Sequence, residues 1–209
     1  MNPAHVRAHL AGHPWLAEAH AGNRGALLLL NLSGHAALRL HGRHSLLTTL
    51  QTHLDAHTPH AMYQLRLLDA APGELSPPAV DRWLDTSRPD GALALAEHEH
   101  DGHWTISLQL PLELVHFDDH FQQAPVLPGV LQVGWALALA APRLGTSMHC
   151  REMEALKFQR LLRPGDRVEL GLRFESDDDD ATRGKLHFSY HLDGAHCSSG
   201  RLRVERAHG

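Results

Sequence analysis

The residues best suited to chemistry lie in one run, His120-Phe121-Gln122-Gln123-Ala124-Pro125-Val126-Leu127-Pro128-Gly129-Val130. Imidazole titrates near neutrality, so His120 can take up or release a proton at ordinary pH. Gly129 follows a proline at the start of a strongly apolar segment, the setting of a helix N-terminus. Unpaired backbone N–H groups and the positive end of the helix dipole can receive a carbonyl oxygen there, and the missing side chain lets it come close. A proton-transfer group and a carbonyl-polarising donor are parts that acyl chemistry uses.

Other chemistries have less support. The chain has 20 histidines, most of them single, and they read as near-neutral solubilising residues rather than converging ligands. The one cluster is Glu97, His98, Glu99, His100 and His103. His98 and His100 share a face of an extended segment and could clamp a divalent ion, but a solvated linker is the simpler reading. No metal and no cofactor is expected. Cys150 and Cys197 make neither a disulfide framework nor a CxxC motif, which fits a reducing compartment and an expected cytoplasmic location. A formal charge of −5 offers no basic field for nucleic acid or an acidic membrane. Residues 1–15 lack the apolar core of a signal peptide, and the apolar run 26–30 is too short to span a bilayer.

With 209 residues, 43% of them hydrophobic and 21% charged, the chain fits one or two globular domains that position these groups. Residues 86–103, punctuated by Pro and Gly and then charged, read as a boundary, with 89–103 a linker. Upstream, 26–32 reads as a buried strand, Leu46, Leu47, Leu50 and Leu54 put a helix over 44–57, and 63–68 reads as a second strand. Ser76 is the expected N-cap of a short helix opened by Pro77 and Pro78. Residues 1–88 are therefore expected to form a small α+β domain.

Downstream the period changes to two. Ile106, Leu108, Leu110, Leu112 and Leu114 alternate with polar residues, and the same alternation recurs through Val168–Phe174, Leu186–Leu192 and Leu202–Val204. Pro111 suggests an edge or a bulge, while Asp193-Gly194 and the acidic run 177–180 suggest hairpin tips. Residues 129–141 have almost no polar face, so the helix they form should be buried on nearly all sides. An antiparallel sheet wrapped around one such helix is the hotdog architecture, which makes the fold class α+β with a hotdog domain over 104–209.

The run from His120 to Val130 resembles the H-F-x-x-x-P-x-x-P-G-V signature of the 3-hydroxyacyl-acyl-carrier-protein dehydratases. Gln132, Trp135, residues 157–160 and residues 197–200 make it similar to the branch that serves aryl polyene pigment biosynthesis. The resemblance implies β-elimination of water from a 3-hydroxyacyl thioester on an acyl carrier protein, with His120 and Gly129 as catalytic residues. It also implies a substrate pocket formed by Phe121, Pro125, Leu127, Pro128, Val130, Gln132 and Gly134. The family places Glu or Asp on the helix fourteen residues after the histidine, from the opposite subunit, where this chain has Gly134. The expected assembly is a homodimer, or a heterodimer with a paralogous dehydratase that supplies the acid. Asp118, Asp119 and Gln132 are candidate substitutes. The first two also fit a solvated turn, and Gln132 fits a hydrogen-bonding anchor. The alternative function is a non-catalytic module that binds the carrier protein or an active partner. A hotdog thioesterase is disfavoured because the helix offers no carboxylate to activate water.

Residues 13–84 are similar to the small C-terminal domain of adenylate-forming acyl ligases, through His13-Pro14-Trp15-Leu16 and Leu68-Asp69-Ala70-Ala71-Pro72. That family's adenylation lysine would fall at Glu74, whose charge has the wrong sign. The resemblance implies a non-catalytic relic.

Overall fold

The computed structural model describes residues 2–56, 63–119 and 124–207. In chain order the elements are α1 (Pro3–Ala11), β1 (Leu16–Ala21), β2 (Gly25–Leu30), α2 (Leu32–Asp55), β3 (Gln64–Leu68), α3 (Pro77–Leu84), β4 (Leu93–His100), β5 (His103–Gln109), α4 (His116–Asp119), α5 (Gly129–Leu144), β6 (Thr146–Phe158), β7 (Arg167–Ser176), β8 (Arg183–Leu192) and β9 (Ala195–Arg206). They divide into two compact units, Met1–Asp90 with Pro111–Val126 and Gly91–Leu110 with Leu127–Gly209. Among the described residues no helix is long and apolar enough to cross a membrane.

The first unit has a three-stranded sheet in the order β1-β2-β3, with β1 antiparallel and β3 parallel to β2. Strand β2 is apolar throughout because both its faces are covered. Leu28 and Leu30 pack with Leu38, Leu46, Leu50 and Leu54 of α2, and Leu27 packs with Val80 and Leu84 of α3. The strand stops at Leu30 rather than Leu32 because Asn31 Oδ1 accepts the Gly34 N–H at 3.0 Å and starts a helix. That helix begins twelve residues before the position its leucine spacing suggests and breaks its regular path at Gly42, where φ is 78°. Exposed Leu32 and Leu40 blur the periodicity of its first half. Ser76 does sit at the N-cap of α3, but its side chain makes no capping bond.

The second unit is a six-stranded sheet in the order β4-β5-β7-β8-β9-β6, antiparallel at every pairing, with the single long helix α5: a hotdog fold. Alternation gives β7, β8 and β9 one apolar face. Val168, Leu170, Leu172, Leu186, Phe188, Tyr190, Leu202 and Val204 are all buried. Tyr190 ties this face to the helix, its hydroxyl donating to the Gln132 carbonyl at 2.9 Å. Asp193-Gly194, both at positive φ, make the expected tight turn between β8 and β9.

Several expectations need correction. Residues 93–100 are not linker but the edge strand β4, turned into β5 by Asp101-Gly102, both at positive φ. His98 and His100 are exposed residues of that strand. Strand β5 ends at Gln109 instead of running to Leu114. Past Pro111, which has no N–H for a ladder, the chain joins the first unit until Val126. The other edge, β6, follows no two-residue alternation because most of it is exposed on both faces, and Ala155 at φ 50° interrupts its pairing with β9. Helix α5 is not buried all round. Val130, Gly134 and Ala138, four residues apart, form an exposed stripe along it.

Candidate functional site

Of the motif's described residues, Ala124–Val126 belong to the first unit and Leu127–Val130 to the second. His120 and Phe121 lie outside the described residues. Leading into them, α4 carries Asp118, whose carboxylate is paired with Arg88. Asp118 is therefore neither a solvated turn residue nor an unengaged acid. On the far side, Pro125 is buried in the first unit.

In the second unit, Pro128 is the N-cap of α5 and its carbonyl accepts from Leu131 N (3.1 Å) and Gln132 N (3.3 Å). The N–H groups of Gly129 and Val130 come first in the helix and have no acceptor among the described residues. Glycine at 129 permits a close approach. A Cβ built there would lie 2.7 Å from Cζ of Phe158, so this half-exposed ring at the end of β6 rests directly on the helix start. The opposite holds at Gly134, where a Cβ would meet no atom within 4 Å. Val130 is 73% exposed, whereas Leu127 is buried.

Gln132 has the anchoring geometry. It is buried, its amide donates to the Leu127 carbonyl at 3.1 Å, and its Oε1 accepts from Ser198 Oγ at 2.5 Å. Leu127 N in turn donates to the Leu162 carbonyl at 2.8 Å. The Leu127-Pro128 entry to the helix is thus held from two sides. Burial pushes the Tyr190 phenol far above its ordinary pKa, so its bond to the Gln132 carbonyl comes from a neutral donor. Replacing Gln132 with Leu should cost about 2–3 kcal/mol, because the Leu127 carbonyl and the Ser198 hydroxyl would stay buried without their partner. Urea denaturation checks this, and a midpoint equal to that of the native chain would rule out the anchoring role.

A groove of about 580 Å³ lies on the opposite face of the sheet, where Thr105, Gly171, Ser189, Ser199 and Lys157 stand in one cross-strand row. No described residue of the His120–Val130 motif lines it. Phe158 was the site residue least legible in sequence. Its place among residues 157–160 marked it, but its contact with Gly129 depends on the pairing of β6 with β9.

The family described as ApeI-like, ApeI dehydratase, matches residues 96–201. Among solved structures, the dehydratase heterocomplex ApeI:P from Xenorhabdus doucetiae is 28% identical with a TM-score of 0.47, the match covering 56% of this chain and 99% of that one. An uncharacterized protein from Erwinia carotovora subsp. atroseptica is 24% identical with a TM-score of 0.45, covering 55% of this chain and 96% of that one. The E. coli PaaI protein from the phenylacetic acid degradation operon is 11% identical with a TM-score of 0.42, covering 55% of this chain and 80% of that one. No curated protein matches the chain. With a family match over half the chain, on a hotdog unit whose Pro128-Gly129 helix start has two N–H groups without an acceptor among the described residues, the chain belongs to the ApeI-like dehydratase family.

Proposed function

We propose that this protein acts on a 3-hydroxyacyl thioester carried by an acyl carrier protein, in aryl polyene or fatty-acid-like synthesis, as a hydro-lyase weakened by the loss of its helix acid. The observation that carries the reading is the N–H pair at the start of α5, which has no acceptor among the described residues and lies within the family's match. In the reaction His120 takes the α-proton, the electron pair moves to form the α,β double bond, and the C3–O bond breaks. Gly129 N–H holds the thioester oxygen while negative charge develops on it. The departing hydroxyl needs a proton. With glycine at 134, the imidazolium formed in the first step is this chain's own source for it.

An open face of α5 and an unpaired edge support a second hotdog subunit as partner. Among the described residues strand β6 pairs only with β9, and Met148, Met153, Leu156 and Phe158 along it are exposed, as is Val130 at the helix start. Such an edge with large apolar residues calls for a cover. The partner is a second copy or a paralogue bringing the missing carboxyl. Gly134 favours one other reading, a binding module that holds the acylated carrier or an active partner without turnover. Residues 13–84 fit a relic that no longer forms adenylates, since Glu74 is exposed on a loop. We place the protein in the cytoplasm, in keeping with two free cysteines.

Incubation of the purified chain with a 3-hydroxyacyl carrier protein, followed by mass spectrometry, tests the reading. Loss of one water from the carrier is the expected result. Binding without loss of water supports the module instead, and neither binding nor turnover overturns both.

A further inference from the structure

We infer that Glu113 is a positioning residue and that the first unit serves the dehydratase motif by gripping the chain just ahead of His120. The inference rests on the dehydratase reading for its link to turnover, but the grip itself is a matter of geometry. Glu113 was expected on the polar side of a strand. Instead it is buried, its side chain 4% exposed, in a cage of three arginines from three separate segments. Its Oε2 lies 3.0 Å from Arg43 Nη2, 3.3 Å from Arg66 Nε and 3.2 Å from Arg88 Nε. Its Oε1 accepts the Leu67 N–H of β3 at 2.8 Å.

The cage continues along the chain toward the motif. Arg88 also donates to the Glu113 carbonyl at 3.0 Å and the Leu114 carbonyl at 3.3 Å, and it pairs with Asp118. Asp69 Oδ1 accepts from Leu112 N at 2.8 Å, and Val115 N donates to the Pro89 carbonyl at 3.0 Å. Leu112, Leu114 and Phe117 are buried. Every residue from 112 to 118 except Phe117 thus has a polar tie to another segment of the first unit, that of His116 running to the Asp90 carbonyl. Asp118 is the last of these tied residues and stands two positions ahead of His120 in the sequence. Three guanidiniums against two carboxylates also make Glu113 the group whose removal leaves like charges facing one another.

The test is Glu113→Gln in the full chain, which keeps the shape and removes the charge. Amide exchange at 112–118 should accelerate at least about tenfold, while α5 and β7 to β9 keep their protection. In the dehydration assay kcat should fall about tenfold or more with KM little changed, because the Gly129 side is untouched. Adding Arg43→Gln should restore part of both losses by removing one unbalanced charge. Unchanged exchange at 112–118 overturns the inference, and so does equal acceleration throughout β1 to β3, which marks a merely structural role. Should Glu113→Gln fail to fold, Arg88→Gln carries the same readouts, since it leaves two guanidiniums on Glu113 and frees Asp118. A wild-type chain that never turns over counts against the dehydratase reading alone, because the exchange result stands without it.

Discussion

His120→Ala should lower dehydration of a 3-hydroxyacyl carrier protein by ~10²–10⁴, the range expected when a general acid or base is removed. The effect should sit at the upper end, since in the proposed reaction the imidazole handles both proton transfers. Binding of the acylated carrier should stay within about threefold, because the substitution leaves the N–H groups of Gly129 and Val130 and the Gln132 anchor chemically unchanged. Titrating the carrier protein against wild type and variant, alongside a single-turnover rate for each, separates the two quantities. A variant that keeps the wild-type rate would remove His120 from the mechanism.

Gly129→Ala should lower the same rate ~10²-fold while the chain stays folded, an effect of the size seen when an oxyanion donor is lost. A methyl at 129 would press on Phe158 Cζ at 2.7 Å, and Phe158, half exposed at the end of β6, can give way. Stability should therefore change little. The thioester oxygen is affected more, because the methyl takes the space beside the first two N–H groups of α5. Trimming the ring in Gly129→Ala/Phe158→Leu should recover the native placement of β6 but not the rate, since the methyl remains. The double variant's thermal midpoint and turnover, compared with each single variant, give the coupling directly. Full activity in Gly129→Ala would mean that the carbonyl is not bound at this helix end.

The hotdog half was legible because β7, β8 and the end of β9 alternate between apolar and polar residues, and because α5 opens on Pro-Gly and is rich in apolar residues. The fingerprint of family residues lay in the same stretch. What stayed hidden has a common cause, namely segments whose environment is not written in local periodicity. Strand β4 is polar and exposed along its whole length, so its charged run read as a linker. Strand β6 is exposed over most of its thirteen residues and bulged at Ala155, and it gives no two-residue signal. The alternation of Ile106 to Leu114 is real, yet it serves two cores: Ile106 and Leu108 lie in β5, whereas Leu112 packs with α2 and β3 of the first unit. Glu113 could not be read at all, since its three arginines lie 70, 47 and 25 positions upstream. In the site, Gln132 as an anchor followed from residue type and place, whereas the contact of Phe158 with Gly129 needed the fold.

The central claim is a dehydratase scaffold that lacks only its helix acid, and Gly134→Asp tests it most directly. Position 134 lies on the exposed stripe of α5 with Val130 and Ala138, and a side chain there meets no atom within 4 Å. Helix propensity favours the change by a few tenths of a kcal/mol, since glycine is the worst helix former after proline. Once a second subunit covers this face, desolvation should raise the carboxyl's pKa toward a protonated form able to donate to the leaving hydroxyl. Measured by mass spectrometry as water lost from a 3-hydroxyacyl carrier protein, with this chain as the sole hotdog protein present, Gly134→Asp should exceed wild type by ~10²-fold or more. A folded variant of the same oligomeric state with no gain over wild type contradicts the claim, and the function then passes to the binding module.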